Sequence, residues 1–449
     1  MRFISTRDDT RCVNFERAVL DCMPQDGGLY VPQDFADLRR WILYTNEQTT
    51  FSSIAGALTS ACVNNEFSPI ICEAIAVKAF LFSPVLKQIS DHLFALELFH
   101  TPTGSHKDFG VSFLVNCLET ILAMRDDPRA KAVILGATTG ELGASVASAI
   151  RGKKHVKAVL VYPAGCARGL NENDYALSAA SGGKGLEGNI FPIEIEGSEE
   201  DCCQIVRELF ADRAFAAENH LTVANTANIG RLMPQMFFYP YAFSRLKAHV
   251  RGDIYYAATP GNYSNLVAGL YGWKLSLPVN GFICPASPEL TVDALGQCVV
   301  PDNLVPLQKR ERADPASPSN IERLENIFHN NALMLKNLVF VSKVDSLQTE
   351  EACRALFTQY GILADEYTSS AYAASQALKD LTSDDDSSIV LVERDHPSLS
   401  AAFISHATGE APILPKHVAA ALTPSKTPLP PQKLTQARAT ITKIITALN

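Results

Sequence analysis

AVILGATTGELGASVASAIRG (residues 132–152), followed after a short gap by VKAVLVYP (156–163), reads as strand, polar turn, helix and strand. AVIL is a short apolar run, GATTGELG supplies turn glycines and hydroxyls, and ASVASAIRG is a helix of small residues. VKAVLVYP has the length and branched side chains of a buried strand. Two strands joined through a helix imply a crossover connection and parallel pairing. The pattern repeats downstream in the strand NIFPIEIEG (189–197), the helix DCCQIVRELFADR (201–213) and the strand LTVAN (221–225). A second alternating series begins at DIYYAATPGNYSNLVAGLYG (253–272) and resumes at NLVFVSKV (337–344), GILADEYTS (361–369) and SIVLVERDHP (388–397). Two α/β units are predicted, each with a mainly parallel sheet covered on both faces.

Upstream, FSSIAGALTSACVNNEF (51–67) and PIICEAIAVKAFLF (69–82) carry apolar residues at helical spacing, and QDGGLYVP (25–32) marks a turn. A mostly helical N-terminal unit over 1–92 follows, with a large α/β unit from 93–130 and 246–449 and a smaller one over 131–245. In DFGVSFLVNCLETILAM (108–124), Phe109, Phe113, Cys117 and Ile121 share one helical face. Residues 300–320, VPDNLVPLQKRERADPASPSN, read either as a linker or as a loop over a site. The acidic SDDDSS (383–388) reads as a solvated turn, TPSKTPLPPQ (423–432) as extended chain, and TQARATITKIITALN (435–449) as a closing amphipathic helix.

The 449 residues are 47% hydrophobic and 19% charged, with 25 Gly and 25 Pro, which excludes disorder, collagen and a charged rod. Lys+Arg of 39 against Asp+Glu of 48 leaves a net charge of −9, so nothing draws the chain to nucleic acid or anionic membrane in general. An anionic ligand has to be held locally. The 11 cysteines are scattered, with Cys202 and Cys203 the one close pair and no zinc spacing, so no metal is predicted and the thiols read as reduced. No run approaches a spanning helix. A cytoplasmic monomer or homodimer is expected, without nucleic-acid or membrane partners.

Three segments place polar groups where a strand ends and a helix begins, the ligand-binding edge of an open α/β sheet. In LELFHTPTGSHKDFG (96–110), Lys107 opens a helix, where the positive dipole end suits an amine that acts as a nucleophile or forms a Schiff base; the alternative is a solvated surface lysine. GATTGELG lacks dinucleotide spacing, and no acidic residue ends the next strand. Its Thr138, Thr139, Gly140 and Glu141 suit a carboxylate or a substrate amino acid, or simply make a tight turn. Gly261, Asn262, Tyr263, Ser264 and Asn265 lead into a helix of small residues and can cradle a phosphate through amides and hydroxyls, or form an ordinary turn.

Together these segments resemble the threonine synthases, pyridoxal-phosphate enzymes of fold type II. That family has FHGPTxAFKDFG, ATSGDTGAA, NSxNxxRLxxQ and SGNFGN in order; here stand FHTPTGSHKDFG (99–110), ATTGELGAS (137–145), NTANIGRLMPQ (225–235) and PGNYSN (260–265). NFERAVLDCMPQDGGLYVP (14–32), ADPASPSNIERL (313–324), EYTSSAYAA (366–374) and RDHPS (394–398) resemble further family stretches. The resemblance implies that Lys107 holds pyridoxal 5'-phosphate covalently and shuttles protons, and that Gly261 to Asn265 bind the coenzyme phosphate. It places Thr138, Thr139, Gly140 and Glu141 against the substrate's amino-acid end, with Asn228 and Arg231 in a functional stretch, each alternatively structural. The implied reaction takes O-phospho-L-homoserine and water to L-threonine and phosphate.

Several residues depart from the pattern. Glu141 and Leu142 replace Asp and Thr, His106 replaces a Phe, and Ser264 replaces a Gly. Ala371 and Tyr372 stand for Pro and His, and Arg394 stands for a threonine expected at the pyridine nitrogen. YPAGCARGLNENDYALSA (162–179) departs from the family's basic YPxGxxSPxQEKQ. Two other readings fit these departures: a phospho-lyase or replacement reaction on another activated amino acid, and a pyridoxal-phosphate-binding protein without turnover.

Overall fold

Two parallel sheets organise the chain in a computed structural model that describes residues 1–448 except 64, 126, 128, 171–174, 178–185, 301–304, 330 and 383–385. The stretches of YPAGCARGLNENDYALSA, of the 300–320 segment and of SDDDSS that fall on those numbers lie outside the described residues. The larger sheet runs in the order Val339–Ser342, Gly281–Pro285, Ile254–Ala257, Ser388–Glu393, Leu93–Glu97 and Val85–Ser90. All its pairings are parallel except the last. The smaller sheet is parallel throughout, in the order Leu221–Thr222, Ala132–Ala137, Val156–Pro163, Ile190–Glu196 and Gln432–Lys433. Near-continuous Val, Ile and Leu runs such as VKAVLVYP are buried along the strand, as sheets covered on both faces require. Two parallel-sheet α/β units beside an N-terminal region with several helices are the architecture that the resemblance implies.

Three boundaries differ from the sequence reading. Strand Val85–Ser90 belongs to the larger sheet rather than to the N-terminal unit, because it forms a hairpin with Leu93–Glu97. The C-terminal strand Gln432–Lys433 and helix Leu434–Ala447 join the smaller sheet, where Ala437, Ile441 and Ile445 pack with Val159, Phe191 and Ile193. Residues 229–246 leave the smaller unit, since their helices pack against helices Lys107–Ala123 and Ser264–Lys274. The N-terminal region also carries the small antiparallel pair Phe3–Ser5 and Tyr30–Pro32 beside its helices. Strand GFICP (281–285) is an element that pattern reading passed over. GILADEYTS contains no strand and instead leads into helix Glu366–Ala377, capped by Asp365.

Helix Lys107–Ala123 is buried on nearly every side rather than on one face. Phe51, Phe80 and Phe238 surround Phe109, and Phe80 and Phe237 flank Phe113, with ring centroids 4.9–6.0 Å apart. This aromatic packing fixes the start of the helix, and Lys107 with it. All eleven cysteines are free, and every one except Cys12 and Cys166 is buried. Among the described residues no helix is long and apolar enough to cross a membrane, and no group of His, Cys, Asp and Glu is arranged to hold a metal.

Candidate functional site

The turn before Lys107 is tied down by its own hydroxyls and by the end of strand Ser388–Glu393. Thr103 donates its amide to Asp108 at 2.8 Å and its hydroxyl at 3.0 Å, and the His106 amide donates to the Arg394 carbonyl at 2.8 Å. Ser105 Oγ donates to Asp395 Oδ1 at 2.5 Å, and His106 Nδ1 lies 3.3 Å from the same oxygen. Burial and the Arg394 charge lower the His106 pKa to about 4, so at neutral pH a neutral imidazole donates to Asp395. Burial alone would raise the Asp395 pKa, but His106, Arg394 and Lys107 outweigh it and hold the carboxyl well below its ordinary range. Lys107 is thus the first helical residue on a frame locked from both sides. It is half-buried, and its Nζ contacts the Glu141 carboxylate.

Glu141 opens helix Glu141–Ile150 at the end of strand Ala132–Ala137. The preceding turn is stabilised by Thr138, whose Oγ1 accepts the amides of Gly140 at 3.0 Å and Gly143 at 3.3 Å. Gly140 has φ of +130°, where a side chain is strained, and a Cβ there would overlap the guanidinium of Arg168. The lysine turn and the GATTGELG turn, far apart in the chain, therefore meet through Lys107 and Glu141. Replacing Glu141 by Gln removes the charge that holds the ammonium. The expected result is roughly a 10- to 100-fold loss in turnover with coenzyme binding retained, measured by steady-state rates beside the visible absorption spectrum.

At the larger sheet, Gly261 (φ +50°) and Tyr263 (φ +65°) take left-handed backbone on either side of Asn262 and precede helix Ser264–Lys274. Such a turn points successive amides into one concavity at a helix N-terminus. The amides of Gly261, Asn262 and Asn265 have no protein acceptor among the described residues, which fits a phosphate. The side chains behave differently from expectation. Asn262 Nδ2 turns to Thr226 Oγ1 at 3.0 Å and the Pro318 carbonyl at 3.2 Å, and the Tyr263 hydroxyl turns to Ser287 at 2.8 Å. Both brace the loop, and its free backbone amides and the unpartnered Asn265 Oδ1 remain.

Two arginines flank this ground. The Arg394 guanidinium stacks 4.4 Å from the Tyr367 ring centroid, and its Nη1 would lie 3.3 Å from a Cβ at Gly261. It thus reaches from the strand end beside His106 to the phosphate loop, and its buried Nε has no partner. Arg231 is 4% exposed, with Nε and Nη1 unpartnered, and its guanidinium occupies the space a side chain at Gly110 would need. That explains the glycine of KDFG. Burial lowers the Arg231 pKa to about 10, so it stays charged at neutral pH. Asn228, read either at the substrate or as structural, is fully buried: Oδ1 accepts the Gly230 amide, and Nδ2 donates to the Val19 carbonyl and Thr222. Its polar atoms are engaged in the scaffold.

Behind Arg394 lie two carboxyls with oxygens that find no hydrogen-bond partner, Asp365 Oδ2 and Glu393 Oε1. Burial and the Asp395 charge raise Asp365 to about 6; burial, Glu97 and Asp365 raise Glu393 to about 8. Each holds its proton more tightly folded than unfolded. Their contribution to stability is therefore full only below their unfolded values of 3.8 and 4.5, and is lost as pH rises from there through about 6 for Asp365 and about 8 for Glu393. Glu393→Gln is expected to flatten the decline between pH 5 and 8, by up to about 1.4 kcal/mol per pH unit, in denaturant titrations across that range.

Sequence reading missed Asn320 and Arg323 of PSNIERL, although the motif itself was legible. Asn320 donates its amide and Nδ2 to the Asn262 carbonyl, both at 3.0 Å, and fully buried Arg323 donates to the carbonyls of Tyr30, Thr226 and Ala227. The described part of the 300–320 segment is likewise anchored, through Arg7 to the Arg310 and Glu311 carbonyls and Asn225 to the Pro315 carbonyl. Arg168 stands in the stretch that departs from the family's basic pattern, where no sequence signal marks it.

With this geometry in view, residues 76–394 match the family of pyridoxal-phosphate dependent enzymes, and residues 2–80 match the threonine synthase N terminus. Threonine synthase of Escherichia coli (strain K12) is 29% identical over 93% of this chain and 94% of its own. That of Buchnera aphidicola subsp. Acyrthosiphon pisum (strain APS) is 30% identical over 83% and 84%. The crystal structure of threonine synthase from Escherichia coli superposes with a TM-score of 0.77 at 25% identity, covering 100% of both chains. A pyridoxal-phosphate-bound threonine synthase from Brucella melitensis shares the fold, at a TM-score of 0.77 and 21% identity over 99% of both.

Proposed function

The chain belongs to the threonine synthase family of pyridoxal-phosphate-dependent enzymes, and from that premise we propose that it converts O-phospho-L-homoserine and water into L-threonine and phosphate through the residues assembled around Lys107. The observation that carries this reading is the convergence on Arg394: its carbonyl receives the amide next to Lys107, and its guanidinium reaches the Gly261 loop. Pyridoxal phosphate, when bound, supplies the electron sink that makes protons at the substrate's Cα and Cβ removable.

Lys107 takes and returns those protons through Nζ, and its position at the helix start keeps that nitrogen on the site side. Glu141 holds the ammonium when the site is unloaded. The amides of Gly261, Asn262 and Asn265 bind the coenzyme phosphate, with Ser264 and Tyr263 as loop supports and Arg394 alongside. Thr138, Thr139 and Gly140 shape the turn that meets the substrate's amino-acid end. Arg231, charged and unpartnered in the interior, is the cation available for the ester phosphate, and Asn228 positions the segment that carries it. The unit works in the cytoplasm as a monomer or homodimer, without nucleic acid.

Product identification after incubation with O-phospho-L-homoserine tests the reading. Threonine with equimolar phosphate is expected. 2-Oxobutyrate with ammonia would instead establish the phospho-lyase, and absence of phosphate release would sink both.

A further inference from the structure

The GATTGELG turn has fewer free donors than its composition suggests. Thr138 Oγ1 already accepts the Gly140 and Gly143 amides, and position 142 is Leu, so no hydroxyl stands there. Glu141 adds negative charge beside a site that must receive an amino acid's carboxylate. A cation is needed for balance.

Arg168 lies where it can supply one. It follows strand Val156–Pro163 at the carboxyl edge of the smaller sheet, the edge from which the turn also projects. Its Nη2 donates to the Thr139 carbonyl at 2.5 Å, and its guanidinium occupies the space left by the absent Cβ of Gly140. It is half-buried and pinned by Thr139, and a guanidinium has further N–H donors beyond the one given to that carbonyl. The family pattern YPxGxxS has serine at this place.

Building on the threonine synthase reading, we propose that Arg168 is a substrate-binding residue that grips the α-carboxylate of the amino acid. The carboxylate is favoured over the ester phosphate by position. Residue 141, next to Gly140, contacts Lys107 Nζ, which works at Cα; the carboxylate is bonded to that carbon, whereas the phosphate lies several bonds away. The phosphate falls to Arg231, whose guanidinium lies beside Gly110. A guanidinium matches a carboxylate in two parallel hydrogen bonds and supplies donors where Leu142 has none.

The test uses coenzyme-loaded R168Q and R168K titrated with L-threonine while following the visible spectrum. R168Q should bind L-threonine about 10- to 100-fold more weakly, and R168K by a smaller factor. L-threoninamide, which lacks the carboxylate, should bind all three proteins alike, and inorganic phosphate measured by calorimetry should be unaffected. Unchanged L-threonine affinity in R168Q overturns the proposal, as does a loss confined to phosphate. Should R168Q fail to load coenzyme, unchanged affinity in R168K overturns it as well. Phosphate release from O-phospho-L-homoserine by the unaltered enzyme tests the underlying reading separately.

Discussion

Lys107→Ala is expected to abolish the visible absorption that covalent attachment gives pyridoxal phosphate, and to cut phosphate release from O-phospho-L-homoserine by at least roughly 10²–10⁴-fold. Two functions disappear together: the bond that stations the coenzyme, and the base that moves protons at Cα and Cβ. The phosphate cradle proposed at Gly261 to Asn265 is distant in sequence and braced by Asn262 and Tyr263, so the variant should still bind pyridoxal phosphate without a covalent link. Equilibrium dialysis would read that residual binding. Lys107→Arg keeps a cation for Glu141 but cannot form the bond, and should match the alanine variant in rate. A variant retaining both the visible band and turnover would remove Lys107 from the centre of the mechanism. The fold should survive, because the packing that fixes the helix start comes from Phe109, Phe113 and their aromatic neighbours rather than from the lysine.

The alternating apolar runs made the two parallel sheets legible, since a strand buried on both faces leaves an uninterrupted signature such as VKAVLVYP. Segment allegiance was not legible in the same way. Gln432–Lys433 adds to the smaller sheet through backbone bonds that any residue can make, and Ile441 shows only that its helix is amphipathic, not which sheet it covers. At the site, residues whose role depends on local backbone, Lys107 at a helix start and Gly261 in its turn, could be placed from the chain alone. Residues whose role depends on which way a side chain turns could not. Asn262 and Asn228 look like ligand donors in sequence, yet their amides close hydrogen bonds to Thr226 and Val19. Arg168 stands in a segment that departs from the family's basic pattern; only its donation to Thr139 and its place beside Gly140 show a guanidinium brought to the GATTGELG turn.

Arg323→Met should be the most damaging change among residues that touch neither coenzyme nor substrate, costing about 3 kcal/mol or more of folding stability. Methionine preserves much of the side-chain volume, so the loss is polar. Arg323 is fully buried and gives Nε to the Tyr30 carbonyl at 3.0 Å, Nη2 to the Ala227 carbonyl at 3.0 Å, and Nη1 to the Thr226 carbonyl and to Asn320 Oδ1. Burial lowers its pKa to about 10, which leaves it protonated at neutral pH and held by carbonyl dipoles. Without it, three backbone acceptors are stranded in the interior at roughly 1–3 kcal/mol each. The damage should also reach the coenzyme. Asn320, oriented by Arg323, donates to the Asn262 carbonyl and to Thr226 Oγ1, so the clamp ties the N-terminal unit, the NTANIGRL segment and the phosphate loop into one network. Denaturant titration should show the lowered midpoint, and spectroscopic titration should show weakened pyridoxal-phosphate affinity in the folded fraction. Arg323→Lys, which keeps the charge but cannot serve all three carbonyls, should fall between. If stability drops while coenzyme affinity stays fixed, the clamp is purely structural and the Gly261 loop holds its shape without Asn320.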